Sequence, residues 1–208
     1  MRTAAARRAT LALVLLAASA CRVATVRRLD EAAPEKAATA AEAPFDAVAF
    51  VDAAWRPEVL RAIDDARDAD AVLRDAAGRA AGGTAPGPAV VRGSGRVVSV
   101  DGRSRSGTAK VELDGPTREV VVVQVGPVIS GTAIRDALPA LGFDRFVNQI
   151  EHADVGNEIN ARVEREVLAS LDRAGLRGRR IRFAGMASFE EGRPPLITPV
   201  RLEVEVRP

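Results

Sequence analysis

The chain has 208 residues, of which 28% are charged and 3% are aromatic, and its formal net charge at pH 7 is +2. So few aromatic side chains leave little of the stacking surface that single-stranded nucleic acids and sugars use. The small net charge also excludes the surplus of Lys and Arg with which nucleic-acid binders displace counterions from phosphates.

The N-terminus carries a predicted signal peptide, residues 1–20. Three arginines and no acidic residue precede an apolar run at 11–18, which is the layout of a basic n-region and a short h-region. Arg22 interrupts the run before the roughly 20 apolar residues that a membrane span needs, so we expect cleavage. Removing three arginines takes the net charge from +2 to −1, and the mature chain has no basic surplus.

Cys21, the only cysteine, directly follows this segment. Ala18-Ser19-Ala20-Cys21 resembles the lipobox of bacterial lipoproteins, in which the thiol receives a diacylglyceryl group before cleavage. The lipobox prefers Leu at the position of Ala18, and the same residues fit an A-x-A cleavage site that would release a soluble secreted protein. Because a lone thiol has no disulfide partner in an oxidising compartment, we expect an acylated Cys21 that anchors the protein to the periplasmic face of a bacterial membrane.

Two segments are predicted before the first strand. Residues 21–44 are rich in Ala, Glu, Lys and Arg and poor in large apolar groups, which indicates a flexible tether. Residues 45–88 are interpreted as a helical arm and loop. There Asp46 can cap the first helix, Pro57 suits the first position of a second helix, and a third helix is expected to end near 81.

A β-rich pattern fills residues 89–208. Strands are expected at 90–100, 109–113, 118–125, 180–186 and 200–206. Gly93-Ser94-Gly95 should bend or bulge the first strand, since glycines permit a kink. Four consecutive valines at 120–123 predict a central third strand that is buried on both faces.

The longest predicted helix lies between the third and fourth strands. Its apolar stripe is formed by Val155, Ile159, Val163, Val167 and Leu171, widened by Leu168 and ended by Gly175. Burial of each stripe residue is worth about 1.5–3 kcal/mol before entropy is subtracted, so the helix should lie on the sheet. Arg162 and Arg165 are expected to lie away from the centre of the stripe.

This order of elements predicts the fold class. Three strands, a helix and two strands are typical of the OB-fold, a five-stranded, partly open β-barrel whose helix plugs one end. We therefore expect an α+β protein in which an OB-like barrel at 89–208 follows the helical arm. A mixed sheet with one covering helix is the alternative.

Catalytic motifs are scarce in the sequence. It has no G-x-S-x-G and no Walker loop, and the segment 93–98 lacks the third glycine of a dinucleotide fingerprint. A Ser-His-Asp triad would have to use His152, the only histidine, and nothing places a serine beside it. We expect no catalytic residue, no enzymatic activity and no cofactor.

Hydrogen-bonding side chains are densest at 148–160. They are Asn148, Gln149, Glu151, His152, Asp154, Asn157 and Asn160, with Arg135 and Asp136 in the turn before. Two interpretations stay open: a pocket for a small polar ligand, or caps and loop anchors that satisfy backbone groups. A metal site at Glu151, His152 and Asp154 is disfavoured, because one histidine and scattered carboxylates are a weak ligand set.

A longer motif resembles a known family. Its residues are Gln124–Pro139, Phe143, Phe146, Asn148–Glu151 and Asn160, together with Phe45-Asp46, Trp55 and Leu196–Val200. They resemble the uncharacterised bacterial lipoproteins called domain of unknown function 2291. The resemblance implies a periplasmic lipoprotein without established activity, often encoded beside sugar ABC transporters. His152 stands where these relatives tend to carry an aromatic residue.

The leading hypothesis is a non-enzymatic lipoprotein that assists a sugar ABC transport system, with the lipid bilayer and transporter components as partners. The alternative is a protein that binds a small, sugar-like ligand. Candidate ligand-binding residues are Gln124, Arg135, Asp136, Asn148, Gln149, Glu151, Asn157 and Asn160. No metal and no nucleic acid are expected.

Overall fold

A computed structural model describes residues 44–205. They belong to one compact unit that begins at Phe45. The predicted signal peptide, Cys21 and all but the last residue of the predicted tether lie outside the described residues. No helix within 44–205 is long and apolar enough to cross a membrane.

The predicted helices and strands occur in the predicted order, and a short helix, α4, lies where a turn was expected. The α-helices are α1 (Ala47–Ala54), α2 (Arg61–Asp64), α3 (Ala69–Ala81), α4 (Ala133–Asp136) and α5 (Gln149–Val163). The strands are β1 (Ala89–Asp101), β2 (Thr108–Leu113), β3 (Val120–Gln124), β4 (Arg180–Ser188) and β5 (Leu196–Val204). A two-residue strand, Arg67–Asp68, pairs in parallel with β1.

The five strands close into a barrel in the order β1-β2-β3-β5-β4-β1. β3 and β5 pair in parallel, and the other pairs are antiparallel. This topology, with α5 between β3 and β4, confirms the predicted OB-like barrel. Gly95 of β1 is paired with both Leu113 of β2 and Ile181 of β4, so β1 closes the barrel by serving two neighbours.

The predicted bend in β1 is wrong in position. The strand runs without interruption through Gly93-Ser94-Gly95, and its register shifts between Val97 and Ser99 instead. The glycines serve close approach rather than bending. A Cβ on Gly95 would collide with the carbonyl of Glu112, so the strands could not cross at their present spacing with a larger residue.

Two other strands differ from prediction. In β3 only Val121 and Val123 of the four valines are fully buried, because the other two lie on the partly covered outer face. β5 begins at Leu196 rather than at 200, since its first residues pair with β3. Pro199 is tolerated inside β5 because it lies where the register with β4 shifts.

Buried side chains form two separate cores. The barrel core is built from strand residues, from α3 and from two residues outside them, Val125 and Leu176. Its members are Ala69, Val72, Leu73, Val91, Val97, Ala109, Val111, Leu113, Val121, Val123, Val125, Leu176, Ile181, Phe183, Ala187 and Ile197. The helical core lies between the helices and the outer face of β4 and β5: Val51, Trp55, Val59, Ile63, Ile129, Ile134, Leu138, Leu141, Phe146, Val155, Ile159, Val163, Leu168, Met186 and Val200.

The helix that was expected to plug the barrel does not do so. α5 buries Val155, Ile159 and Val163 in the helical core, outside the barrel. α3 instead delivers three residues to the barrel core. It can do so because its first residue is the small Ala69, whose Cβ would lie only 3.2 Å from a Cβ placed on Gly93.

Two π-helical turns explain the remaining differences in the helices. Pro57 does not start a second helix, because it lies inside the turn Trp55–Leu60, which joins α1 to α2 without a break. There the N–H of Arg61 donates to the carbonyl five residues earlier, and the wider turn accommodates a proline that cannot donate. The second turn, Glu164–Leu168, extends α5 and rotates Leu168 into the core while Val167 remains half-buried.

Candidate functional site

The loop after β3, residues 125–132, is called the motif loop here because it holds the centre of the sequence motif. The fully buried Gln124 holds the loop through hydrogen bonds of its side chain. The Gln124 side-chain amide donates to the carbonyl of Ser130 (3.1 Å) and accepts from the Ser130 N–H (2.8 Å). It also donates to the hydroxyl of Thr198 on β5 at 2.8 Å. Gln124 therefore joins the loop to the barrel wall.

The helix α5 and its π-helical extension hold the loop from the other side. Glu164 accepts the N–H of Ile129 at 2.7 Å, and Asn160 donates to the carbonyl of Gly131 at 2.8 Å. Gly131 has a φ of 84°, which favours glycine. With backbone and side-chain groups held on both sides, the loop is a pre-organised feature of the surface.

This rigid loop forms one wall of a cleft of about 320 Å³, the motif-loop cleft. Its lining residues are Pro86, Pro88, Ser130, Gly131, Thr132, Ala133, Asp136, Ser188, Phe189, Glu190, Leu196 and Thr198. Four segments that are far apart in sequence meet here: the prolines before β1, the motif loop with α4, the end of β4 and the start of β5. Hydroxyl groups and carboxylates therefore converge on one small volume.

Two neighbouring side chains hold the carboxylate of Asp136 in the cleft. It accepts from the hydroxyl of Thr132 at 2.6 Å and from the guanidinium of Arg135 at 2.8 Å. Arg135 is itself fixed by donation to the carbonyl of His152 at 3.0 Å. A carboxylate held in this way can accept hydrogen bonds from the hydroxyl groups of a ligand without rearranging.

A larger groove of about 610 Å³ adjoins the cleft and shares Pro86, Phe189 and Glu190 with it. We call it the α3 groove. Its remaining lining is Leu73, Ala76, Ala77 and Ala80 of α3, with Gly83, Thr84, Ala85, Glu119, Glu191, Gly192 and Pro195. The floor is aliphatic, and carboxylates lie on the rim. Such a surface suits an extended partner with apolar and basic groups.

The predicted polar cluster at 148–160 does not form one pocket. Asn148 is the N-cap of α5 and accepts from the N–H groups of Ile150 and Glu151, each at 2.9 Å. The carboxylate of Glu151 accepts from the N–H of Val147, the residue before the N-cap, at 3.1 Å. Asn160 lies at the motif loop instead, and Gln149 and Asn157 are exposed on α5.

Among the eight predicted ligand-binding residues, Asp136 is the one that lines the cleft. Gln124, Arg135 and Asn160 support its walls, and Asn148 and Glu151 cap a helix. The capping and loop-anchoring interpretation thus accounts for most of their hydrogen bonds, and a ligand at these residues stays a prediction.

His152 has an aromatic environment. Its ring lies 5.1 Å from that of Phe146 and 5.5 Å from that of Phe143, and its Nε2 is 3.2 Å from the carbonyl of Leu141. His152 therefore packs as part of an aromatic cluster. Within residues 44–205, no three His, Cys, Asp or Glu side chains are grouped closely enough to hold a metal ion.

Shifted pKa values occur on the surface away from the cleft. The hydrogen bond from Arg67 lowers the pKa of Asp75, and the hydrogen bond to Glu158 raises the pKa of Arg165. Each shift comes from an exposed ion pair on or beside a helix. Both are typical of surface pairs that contribute little to stability.

Sequence reasoning missed the hydroxyl groups of the cleft: Ser130, Thr132, Ser188 and Thr198. A signal for three of them was present, because Ser130-Gly131-Thr132 and Thr198 lie inside the two segments that carry the family resemblance. Only the parallel pairing of β3 with β5 brings these segments together. That pairing cannot be read from local patterns.

Comparison with known proteins gives a family and a fold. The family described as predicted periplasmic lipoprotein (DUF2291) matches residues 11–203. No curated protein matches the chain. A solved OB-fold protein from Thermotoga maritima superposes with a TM-score of 0.58 at 19% sequence identity, covering 78% of this chain and 100% of that one. At this identity the similarity concerns the fold alone.

Proposed function

Since the chain belongs to the family of predicted periplasmic lipoproteins (DUF2291), we propose that it is a non-enzymatic accessory of a sugar ABC transport system, anchored through an acylated Cys21. The protein is extracytoplasmic and membrane-attached, as its family is. Its contribution to transport would be to bind another component at the membrane surface.

The α3 groove is the observation that carries this proposal. A groove of about 610 Å³ with an aliphatic floor can take an extended segment of a partner rather than one small solute. Glu119 and Glu191 on its rim favour a partner segment that carries Lys or Arg beside its apolar residues. Its continuity with the motif-loop cleft would extend the contact to the motif itself.

A matched pair of variants tests the groove. In Ala80→Arg, a long cation fills a lining position of the groove, whereas Ala81→Arg places the same side chain on the exposed neighbour that does not line it. We expect the lipidated wild-type protein and Ala81→Arg to co-purify with the transporter subunits, and Ala80→Arg to lose them. Equal recovery with both variants, or no transporter subunit with the wild type, would contradict the proposal.

The motif-loop cleft favours a second function, the binding of a small, sugar-like ligand. Its volume of about 320 Å³, its hydroxyl groups and the fixed carboxylate of Asp136 suit a polyhydroxylated molecule. Calorimetry with a panel of sugars separates the two functions, using Asp136→Asn as the cleft variant and the exposed Asp144→Asn as the control. Sugar binding that is lost only in Asp136→Asn, without transporter contact, would reverse the order of the two proposals.

A further inference from the structure

Apolar side chains are exposed where the folded unit begins. Phe45, Val48, Phe143, Val147 and Ile150 form what we call the tether patch. Val147 and Ile150 are the most exposed of the large hydrophobic residues, at 86% and 73%. Single exposed apolar residues are ordinary, but a group of them on one surface marks an interaction site.

Aromatic rings in edge-to-face and tilted contact connect Phe45 to Phe143 across the patch. The ring of Phe146 lies 5.8 Å from Phe45, 5.2 Å from Phe50 and 5.1 Å from His152. His152 in turn lies 5.5 Å from Phe143. The exposed residues therefore rise from a packed base that belongs to the helical core.

The two most exposed residues are also fixed by their backbone. Val147 directly precedes the N-cap Asn148, and its N–H donates to Glu151. Ile150 lies in the first turn of α5, where its N–H donates to the cap. Because Asn148 and Glu151 bind the backbone N–H groups of this segment, its apolar side chains are presented to solvent by a fixed backbone.

The position of the patch indicates what covers it. The described unit starts at Phe45, which is itself part of the patch, and 23 residues separate it from Cys21. Even fully extended, that many residues reach at most about 80 Å. A surface that adjoins the attachment point of such a tether meets the anchoring membrane at a high effective concentration.

We propose that the tether patch inserts into the surface of the bilayer that holds the acylated Cys21. The occupant is the interfacial region of a zwitterionic membrane. The acidic residues Asp46, Asp144 and Glu151 beside the patch outnumber the basic Arg145, so attraction to anionic lipids does not drive the contact. Burial of the five apolar side chains drives it, and salt therefore has little effect on binding.

This contact adds a second membrane signal to the lipid. The diacylglyceryl group already supplies two acyl chains, which give stable attachment, so the patch is not needed to hold the protein at the membrane. The patch instead gives the folded unit one preferred face toward the membrane, which a tether alone does not. The proposal depends on membrane anchoring and not on the role in sugar transport.

Vesicle binding by the unlipidated mature chain, expressed from Arg22, tests the patch without the acyl chains. We expect sedimentation with phosphatidylcholine vesicles that persists in high salt. Val147→Asp/Ile150→Asp should lower the partition coefficient by at least about tenfold, since both side chains would enter the membrane. Val98→Asp, which alters an exposed valine of the barrel, should bind as the wild type does. Equal binding by both variants, or none by the wild type, would overturn the proposal.

A fluorescent label locates the contact directly and guards against variants that fail to fold. The chain from Arg22 has no cysteine, so Ile150→Cys and Val98→Cys each accept one environment-sensitive dye. Vesicles should shift the emission to the blue at position 150 and leave it unchanged at 98. If the dye at 150 stays in water, the patch contacts something other than lipid, such as a protein, and the membrane proposal fails.

Discussion

The barrel core and the helical core are built from different kinds of side chain. Small and β-branched residues fill the barrel core, and glycines such as Gly95 and Gly185 let its strands approach closely. Larger side chains, among them Trp55 and Phe146, fill the helical core, and two π-helical turns adjust their positions. The barrel is closed on all sides, whereas the helical core ends in the exposed tether patch.

The two cores should therefore differ in how well they tolerate substitutions. A closed barrel of short side chains has no room to relax, because interior packing approaches that of a crystal. The helical core has an open margin and turns of unequal width, which can absorb small displacements. We expect substitutions in the barrel to act as all-or-none events, and those in the helical core to be graded by burial.

Gly95→Val should have the largest effect. A Cβ at this position collides with the carbonyl of Glu112 and lies 2.8 Å from the Val111 side chain, where two strand pairings meet. We expect unfolding, or a loss of at least about 4 kcal/mol in a urea titration. Gly78→Ala in α3 is the control, since its Cβ meets nothing within 4 Å and should stabilise the helix by about 0.5–1 kcal/mol. A folded Gly95→Val would show that the barrel is not closed as described.

Val163→Asp should follow as the next largest effect. Val163 is fully buried in the helical core, and the substitution places a carboxylate there without a partner. We expect a loss of at least about 3 kcal/mol in the free energy of unfolding. Arg165→Ala, on the exposed side of the same helical segment, should cost no more than about 0.5 kcal/mol. Small and equal effects would mean that α5 is not packed against this core.

Arg162→Ala should have an intermediate effect on the free energy of unfolding, and it tests the contribution of a side chain at the edge of the helical core. Arg162 was expected to lie away from the centre of the apolar stripe, and its side chain is 19% exposed at the edge of this core. It pairs with Asp52 at 2.6 Å and with Glu166 at 2.9 Å, and it covers the ring of Trp55 at 4.5 Å. Loss of these contacts should cost about 1–2 kcal/mol by thermal or urea unfolding. A cost as small as that of Arg165→Ala would show that the contacts of Arg162 do not stabilise the fold.

Much of the barrel could be predicted because strand burial leaves a local pattern. The alternation at 109–113 and in the last strand sets which side chains face the core, and no distant contact changes that alternation. The position of the bulge could not be predicted, since both the glycines and Val98 were compatible with it. Only the neighbouring strands decide between them.

The helical core was harder to predict because its turns are not regular. Periodicity of 3.6 residues places Val167 in the stripe, yet the π-helical turn gives the inner position to Leu168. Likewise, Pro57 is a typical first residue of a helix, and here an extra-wide turn carries it inside one. A sequence pattern assumes one helical pitch and misses a change of pitch.

The candidate site was predictable in its supports but not in its lining. Polar residues such as Asn148 and Asn160 stand out in the sequence because they interrupt apolar segments, and those interruptions serve helix caps and loop anchors. Thr198, by contrast, lies in an apolar strand, and its place in the cleft depends on the barrel being closed. Residues that meet only after folding leave no local signal.

Because β1 pairs with both β2 and β4, the barrel can close only after β4 is available. β1 can pair with β2 as soon as both have left the translocation channel, but its other edge stays open until β4, which starts at Arg180, has followed. Pairings between such distant segments form on the order of milliseconds to seconds. Almost the whole chain must therefore cross the membrane before the domain can fold. During that interval the open edge of β1 exposes unpaired backbone groups, the kind of strand edge on which aggregation can start.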